Sequence, residues 1–142
     1  MSVSNSELPD LCKILNDEKL CLSVNKYGTD KEFPKKYISA LYSKIIESKK
    51  PERILEIGIR TGASLALWEK AFPEVEILAI DNGDDLRLVF EPKNKKTSIL
   101  IVDAYSSEFL EFIREKSFDL IIDDGPHSLK SQQFTFKNLS KN

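Results

Sequence analysis

The feature that most constrains the fold is an alternation, from Arg53 onward, of short aliphatic runs with segments of helical periodicity. Four runs have the length of buried strands: 53–59, 75–81, 97–103 and 118–124. The segments 61–72 and 106–116 lie between runs and have apolar residues at helical spacing, as does 127–140 after the last run. Continuously aliphatic strands joined by helices are typical of a parallel sheet that is covered on both faces. The sequence therefore predicts an α/β fold with right-handed crossovers.

Two further helical patterns precede the alternation. The first covers 6–22, with Ser6 and Pro9 as start signals, and the second covers 34–48. The turn-rich stretch NKYGTDKE separates them. We expect an N-terminal helical segment at 1–50 and a sheet domain at 51–142.

Composition narrows the class of protein. The chain has 142 residues, 41% hydrophobic and 31% charged, which fits one globular domain with a single core. No apolar run approaches the roughly 20 residues that cross a bilayer, and the N-terminus lacks the pattern of a secretion signal. We expect a cytoplasmic protein without a membrane partner.

The charge pattern argues against a nucleic-acid site, and the cysteines argue against a metal site. Lysines are in excess between Lys26 and Arg53, but glutamates interleave with them, which indicates a solvated helical face and no nucleic-acid partner. Cys12 and Cys21 have neither a CxxC spacing nor a nearby histidine, so we expect two reduced helix residues and no metal framework.

Acidic residues close all four aliphatic runs. They are Glu56, Asp81, Asp103, Asp123 and Asp124. The carboxyl ends of parallel strands lie at one edge of the sheet, which is where such folds bind ligands. Any one of these residues alone also suits a turn or a helix N-cap. Their recurrence at one edge predicts a binding site.

The loop after the first run, EIGIRTG, limits the ligand. A dinucleotide fingerprint requires a second glycine where this chain has Arg60, and no GK[ST] phosphate loop is present. A ligand with adenine and ribose but without phosphates fits better. Asp81 is placed to accept hydrogen bonds from a ribose diol, Asp103 to meet an adenine amino group, and Glu56 with the loop amides to hold an amino-acid tail. Together these features predict S-adenosylmethionine.

Two longer stretches carry a family resemblance. ILEIGIRTGASLALW followed by FPEVEILAIDN resembles the first two motifs of class I S-adenosylmethionine-dependent methyltransferases, although Arg60 and Thr61 stand where the family loop is richer in glycine. KYGTDK together with FDLIIDDGPHSLKSQQ is similar to the macrolide and sugar O-methyltransferases of the macrocin and mycinamicin type. The resemblance covers about 25–139 and implies a Rossmann-like sheet with strand order 3-2-1-4. It implies cofactor contacts from Tyr27, Thr29, Glu56, Gly58, Thr61, Gly62, Asp81, Asn82, Asp103, Ala104 and Asp123.

The resemblance also implies catalytic roles for the stretch after the fourth run. Asp124 would be a magnesium ligand, and His127, three residues later across a Gly-Pro turn, would be the general base that accepts the hydroxyl proton. From the pattern alone, Asp124 is equally an N-cap and His127 an exposed residue of a first helical turn. The expected activity is S-adenosylmethionine-dependent methylation of a hydroxyl on a sugar or macrolide-like small molecule, with Mg²⁺ as a candidate second cofactor.

The sequence leaves two questions open. In the resembling family a fifth strand flanks the fourth, whereas this sequence stops after the fourth, so we expect that strand at the edge of the sheet. A fragment of a longer protein, a homodimer that covers this edge, and a partner chain that completes the fold are the three explanations. A non-catalytic S-adenosylmethionine-binding or scaffold module is the alternative function; a dinucleotide enzyme is disfavoured by Arg60.

Overall fold

The computed structural model describes residues 8–29, 31, 42–48, 50–84 and 86–123. Its elements in chain order are α1 (Leu11–Asp17), α2 (Ser43–Ser48), β1 (Arg53–Ile57), α3 (Ala63–Ala71), β2 (Glu76–Asp81), β3 (Thr97–Ile101), α4 (Ser107–Ile113) and β4 (Leu120–Asp123). The strands form one sheet of order β3-β2-β1-β4, and every pairing is parallel. The predicted α/β fold and its strand order are confirmed.

The register of the sheet brings the strand ends together. Ile57, the last residue of β1, is level with Ile80 of β2 and with Asp123 of β4. Asp81 is level with Ile101, the last residue of β3. Because β1 lies between β2 and β4, the loop that follows β1 starts between Asp81 and Asp123, at the edge where the sequence predicts a site.

Two hydrophobic clusters cover the two faces of the sheet. Alternate residues of a strand point to opposite faces, so Ile54 packs with α1 and α3 whereas Leu55 and Ile57 pack with α4. The first cluster also includes Leu11 and Leu15 of the N-terminal segment. The described part of that segment therefore shares its core with the sheet.

The first helix is shorter than predicted. The spacing predicts a helix over 6–22, but α1 begins after Asp10, whose carboxylate accepts a hydrogen bond from the amide of Lys13 at 3.1 Å. The left-handed backbone of Lys19, with φ of 54°, lies just after the end of α1. Cys21 then forms a parallel bridge with Thr29, so the prediction that both cysteines are helical is wrong for Cys21. Local periodicity did not reveal that the chain turns back at this point.

The other elements lie inside their predicted ranges and are trimmed at their ends. Of the predicted helix at 34–48, the structure describes α2, and the predicted helix at 127–140 lies outside the described residues. None of the helices in the described ranges has the length and hydropathy that a transmembrane helix requires.

Candidate functional site

The loop between β1 and α3 has an unusual backbone. Gly58, Arg60 and Gly62 have positive φ values of 89°, 54° and 87°, so every second residue is left-handed. A Cβ on Gly62 would lie 2.5 Å from the carbonyl oxygen of Phe90, which requires glycine there on steric grounds as well. Arg60 adopts the same kind of conformation at a strain cost. The alternation curves the loop around the N-terminus of α3.

Asp81 fixes this loop from the neighbouring strand. One carboxylate oxygen accepts a hydrogen bond from the amide of Ile59 at 2.9 Å, and the other accepts one from the amide of Gly83 at 2.8 Å. The residue is 8% exposed. Each carboxylate oxygen can accept a second hydrogen bond, so Asp81 retains capacity toward a hydroxyl group. Asn82 is exposed, and its side chain accepts from the amide of Asp84.

The described residues of the YGTDK segment, 27–29 and Lys31, dock onto the same loop. The hydroxyl of Thr61 donates to the carbonyl of Tyr27 at 2.5 Å. Thr29 is held in turn by backbone bonds with Leu20 and Leu22, and its hydroxyl accepts from the amide of Lys31 at 3.2 Å. Two distant parts of the sequence thus face each other across the end of β1.

A second segment supports the loop from the side. The amide of Arg87 donates to the carbonyl of Arg60 at 2.9 Å, and the amides of Val89 and Phe90 donate to the carbonyl of Thr61 at 2.9 and 3.0 Å. Residues 86–90 therefore run along the loop. The connection from β2 to β3 is anchored further on by Glu69 of α3, which accepts from the amides of Lys93 and Asn94.

A cleft lies between the YGTDK segment and the loop. Its lining is Gly28, Thr29, Lys31, Ile59, Arg60, Thr61, Ala63 and Ser64. The N-terminus of α3 opens into this cleft, and its N-cap, Gly62, provides no side-chain cap for the first amides. Unbonded amides at a helix N-terminus favour negatively charged groups.

Glu56 lies beneath the cleft in a fully buried polar cluster. Its side chain is 0% exposed and points toward α3, where Ser64 and Trp68, four residues apart on one helix face, both donate to it. The indole bond is 2.7 Å long. The ammonium group of Lys31 lies 3.5 Å from the same carboxylate, and the Lys31 side chain is 5% exposed. The prediction of a solvated lysine face is therefore wrong at Lys31, because a buried carboxylate pairs with it.

A second polar contact connects the ends of β3 and β4, which lie on opposite sides of β1. The hydroxyl of Tyr105 donates to Asp123 at 3.1 Å, which links the turn after β3 to the end of β4. Asp103 is exposed and accepts from the amide of Tyr105 at 2.9 Å, and Ala104 is buried against α4. Asp103 therefore shapes the turn that begins α4, whose N-cap is Ser106.

The remaining predicted residues lie outside the described part. Asp124 and His127 follow the last described residue, so their roles stay predictions. Among the described residues there is no group of three or more His, Cys, Asp or Glu side chains arranged to hold a metal ion.

The structure adds contacts that the sequence analysis did not predict. Lys31 belongs to the YGTDK motif, but its burial depends on Glu56, 25 positions away. Ser64 and Tyr105 gave no signal beyond helix and turn propensity. The support from residues 86–90 is made by backbone groups, which a side-chain pattern does not reveal.

Sequence comparisons relate the chain to O-methyltransferases. No family model matches the chain. It is 31% identical over 102 residues to 8-demethyl-8-(2-methoxy-alpha-L-rhamnosyl)-tetracenomycin-C 3'-O-methyltransferase of Streptomyces olivaceus, a match that covers 63% of the chain and 24% of that enzyme. It is 28% identical over 113 residues to L-olivosyl-oleandolide 3-O-methyltransferase of Streptomyces antibioticus, covering 72% of the chain and 28% of that enzyme. The chain thus spans about a quarter of the length of these relatives.

Comparison with solved structures identifies the fold. MycE, a methyltransferase from the mycinamycin biosynthetic pathway solved with Mg and SAH, superposes with a TM-score of 0.56 at 24% identity, covering 92% of this chain and 31% of its own. CmcI solved with Mg and SAM superposes with a TM-score of 0.52 at 21% identity, covering 71% of this chain and 46% of its own. The chain has the class I methyltransferase fold. The resemblance to macrolide and sugar O-methyltransferases, predicted from the motifs, is also confirmed.

Within the methyltransferase fold, the described site residues form two groups. Tyr27, Thr29, Gly58, Thr61 and Gly62 surround or support the cleft. Asp81, Asn82, Asp103, Ala104 and Asp123 lie at or just beyond the ends of β2, β3 and β4. Glu56 lies below the first group and outside the cleft lining.

Proposed function

We propose that the chain provides the S-adenosylmethionine-binding part of an O-methyltransferase that acts on a sugar or macrolide-like hydroxyl. Two relatives that carry O-methyltransferase names support the reaction class. The match covers 24% and 28% of those enzymes, so both the reaction and the acceptor are proposed for this chain.

The observation that carries the proposal is the cleft between the YGTDK segment and the loop after β1. It presents donors that an amino-acid carboxylate requires, namely the Lys31 ammonium and the first amides of α3. Asp81 offers acceptor oxygens at the adjacent strand end, where a ribose diol would lie. This donor and acceptor set fits an adenosyl amino acid, and Arg60 stands where a dinucleotide fingerprint requires a glycine.

The remaining cofactor contacts follow from this arrangement. Tyr27 and Thr29 would cover the methionine side, Gly58, Thr61 and Gly62 would face it from the loop, and Glu56 would act indirectly, through the Lys31 side chain that pairs with it. Asn82, Asp103 and Ala104 would border the adenosine, and Asp123 the methyl end. Bound S-adenosylmethionine supplies an electrophilic methyl group for transfer to a hydroxyl oxygen.

We propose His127 as the base that takes the hydroxyl proton and Asp124 as a ligand of Mg²⁺. The MycE and CmcI structures that contain Mg support the metal. Oxygen ligands suit Mg²⁺, and a carboxylate with waters and substrate oxygens is a normal set. The described residues contain no cluster of three or more metal-ligating side chains of their own.

We also propose that the protein acts in the cytoplasm and associates through β4, with a second copy or with a partner chain. Among the described residues, β4 pairs on one side alone, with β1, and its sequence LIID is aliphatic. Sedimentation equilibrium at micromolar concentration would show a species larger than the monomer. A monomer would contradict association with a second copy.

Calorimetry tests the proposed cofactor. We expect S-adenosylhomocysteine to bind and NAD⁺ not to bind, and Asp81→Ala to weaken the binding because the loop and the diol acceptor are lost together. Binding of NAD⁺ without S-adenosylhomocysteine would overturn the proposal. Methyl transfer from S-adenosylmethionine to a glycosylated macrolide then separates an enzyme from a binding module.

A further inference from the structure

Lys31 is a buried cation at the wall of the cleft. Its side chain is 5% exposed, and it belongs to the lining together with Ser64 and Ala63. Long lysine side chains normally keep the ammonium group in water, so one that is buried requires a partner of opposite charge. Glu56 supplies that charge at 3.5 Å.

Glu56 is badly placed to meet a ligand itself. It is 0% exposed and does not line the cleft. Both of its oxygens accept hydrogen bonds, one from the Trp68 indole and one from the Ser64 hydroxyl. A ligand in the cleft would meet Lys31 and Ser64, which line it, before this carboxylate.

The charges around the cleft therefore favour a carboxylate from the ligand. Lys31 already compensates Glu56, and the first amides of α3 add partial positive charge from the side of Ala63 and Ser64. Arg60 is exposed and also lines the cleft, so a second cation stands at its mouth. The described lining contains no carboxylate.

We propose that Lys31 binds the carboxylate of the methionine tail, and that the Glu56–Lys31 pair makes the site selective for ligands that carry this carboxylate. The proposal rests on the proposed function, because it assumes an adenosyl amino acid in the cleft. It gives the lysine of KYGTDK a recognition role and leaves Glu56 as its buried counter-charge.

The test compares two ligands that differ in the carboxylate alone. S-Adenosylhomocysteine carries it, whereas S-adenosylthiopropylamine keeps the nucleoside, the thioether and the amine. Trp68 is the single tryptophan and touches Glu56, so its fluorescence reports binding and folding, and calorimetry gives the dissociation constants. We expect the wild-type chain to prefer S-adenosylhomocysteine by about tenfold or more, the usual weight of a charge-assisted contact.

Variants locate the preference. Lys31→Gln is expected to weaken S-adenosylhomocysteine by about tenfold and to leave S-adenosylthiopropylamine within about twofold. Because that variant leaves a buried carboxylate without its cation and can fail to fold, Lys31→Gln/Glu56→Gln removes both charges and is expected to lose the same preference. Lys70→Gln makes the same change on the exposed face of α3, where Lys70 pairs with Glu18, and is expected to change neither affinity.

The outcomes are distinct. A wild-type chain that binds both ligands equally well overturns the role of Lys31 and leaves the proposed function standing. A folded Lys31 variant that keeps the wild-type preference, or that weakens both ligands equally, overturns it as well. Failure of the wild-type chain to bind either ligand overturns both the proposed function and this inference.

Discussion

Asp81, the last residue of β2, accepts a hydrogen bond from the backbone amide of Ile59 at 2.9 Å, so the end of one strand holds the loop that follows its neighbour. The same carboxylate binds the amide of Gly83 in its own loop. A group predicted for ligand binding is therefore also a structural tie between two loops. Replacing it will change both stability and affinity.

We expect Asp81→Asn to destabilise the protein by about 1–3 kcal/mol, because an amide offers one acceptor oxygen where two backbone donors need one each. Affinity for S-adenosylhomocysteine should also fall. Urea unfolding and calorimetry measure the two effects. Asp84→Asn, in the same loop and exposed, is the matched control and should change stability by less than about 0.5 kcal/mol. Equal effects of the two variants would contradict the role of Asp81.

Gly62→Ala should destabilise the protein by more than about 2 kcal/mol, since a left-handed backbone strains alanine by about 1–2 kcal/mol and the new Cβ also meets backbone. The clashing atom is the carbonyl oxygen of Phe90, 2.5 Å away. Gly83→Ala has a similar φ of 91°, but its Cβ would meet the methyl end of Ile101 at 3.2 Å. The difference between the two urea midpoints isolates the clash, and a larger loss for Gly83→Ala would refute this explanation.

Glu56→Gln should cost about 3 kcal/mol or more, because it removes one member of a buried ion pair and leaves the other charge in the core. The double variant Glu56→Gln/Lys31→Gln should recover part of that loss. Glu76→Gln removes an exposed partner of Arg53 and should cost about 0–1 kcal/mol. Thermal unfolding of the wild type, Glu56→Gln, Lys31→Gln and the double variant forms a double-mutant cycle, and Glu76→Gln is the fifth protein and the control. Additive losses at Glu56 and Lys31 would show that the pair is not coupled.

Thr61→Val removes the hydroxyl that donates to the carbonyl of Tyr27 at 2.5 Å. Because this bond holds the Tyr27 segment over the cleft, its loss should weaken the binding of S-adenosylhomocysteine. The loss of stability should be about 1 kcal/mol. Thr97→Val removes a comparable hydroxyl bond to Glu69, away from the cleft, and should cost similar stability without changing affinity. Calorimetry on both variants decides, and unchanged affinity in Thr61→Val would argue against a covering role for the Tyr27 segment.

The sheet was predictable because each strand carries its own signal. The aliphatic runs around Leu55 and Ile80 are buried on both faces, so they are recognised without knowledge of the rest of the chain. The family motifs then gave the strand order, which the observed pairings match. The ends of the strands were predicted less accurately than their positions, because hydrogen bonding and not hydropathy decides where a strand stops.

The site was predictable in kind but not in its internal contacts. Acidic residues at strand ends indicated the ligand-binding edge, and Asp81 lies there. The burial of Lys31 and the pairing of Glu56 with Ser64 and Trp68 depend on tertiary contacts that no local pattern encodes. The prediction of a helix through Cys21 was wrong for the same reason, because Cys21 pairs with Thr29 instead of continuing the helix.

The position of β1 in the middle of the sheet has a consequence for synthesis on the ribosome. β1 pairs with β2, which follows it closely in the sequence, and with β4, which follows much later. Just before β4, the carboxylate of Asp119 accepts a hydrogen bond from the amide of Arg53, 66 residues earlier in the sequence. At about 5–20 residues per second, that separation leaves one edge of β1 open for roughly 3–13 s in each newly made chain. During this interval the strand that carries Glu56 presents unpaired backbone groups. The strand order therefore sets the stage at which the new chain is most exposed to misassembly. This stage precedes completion of the ligand site.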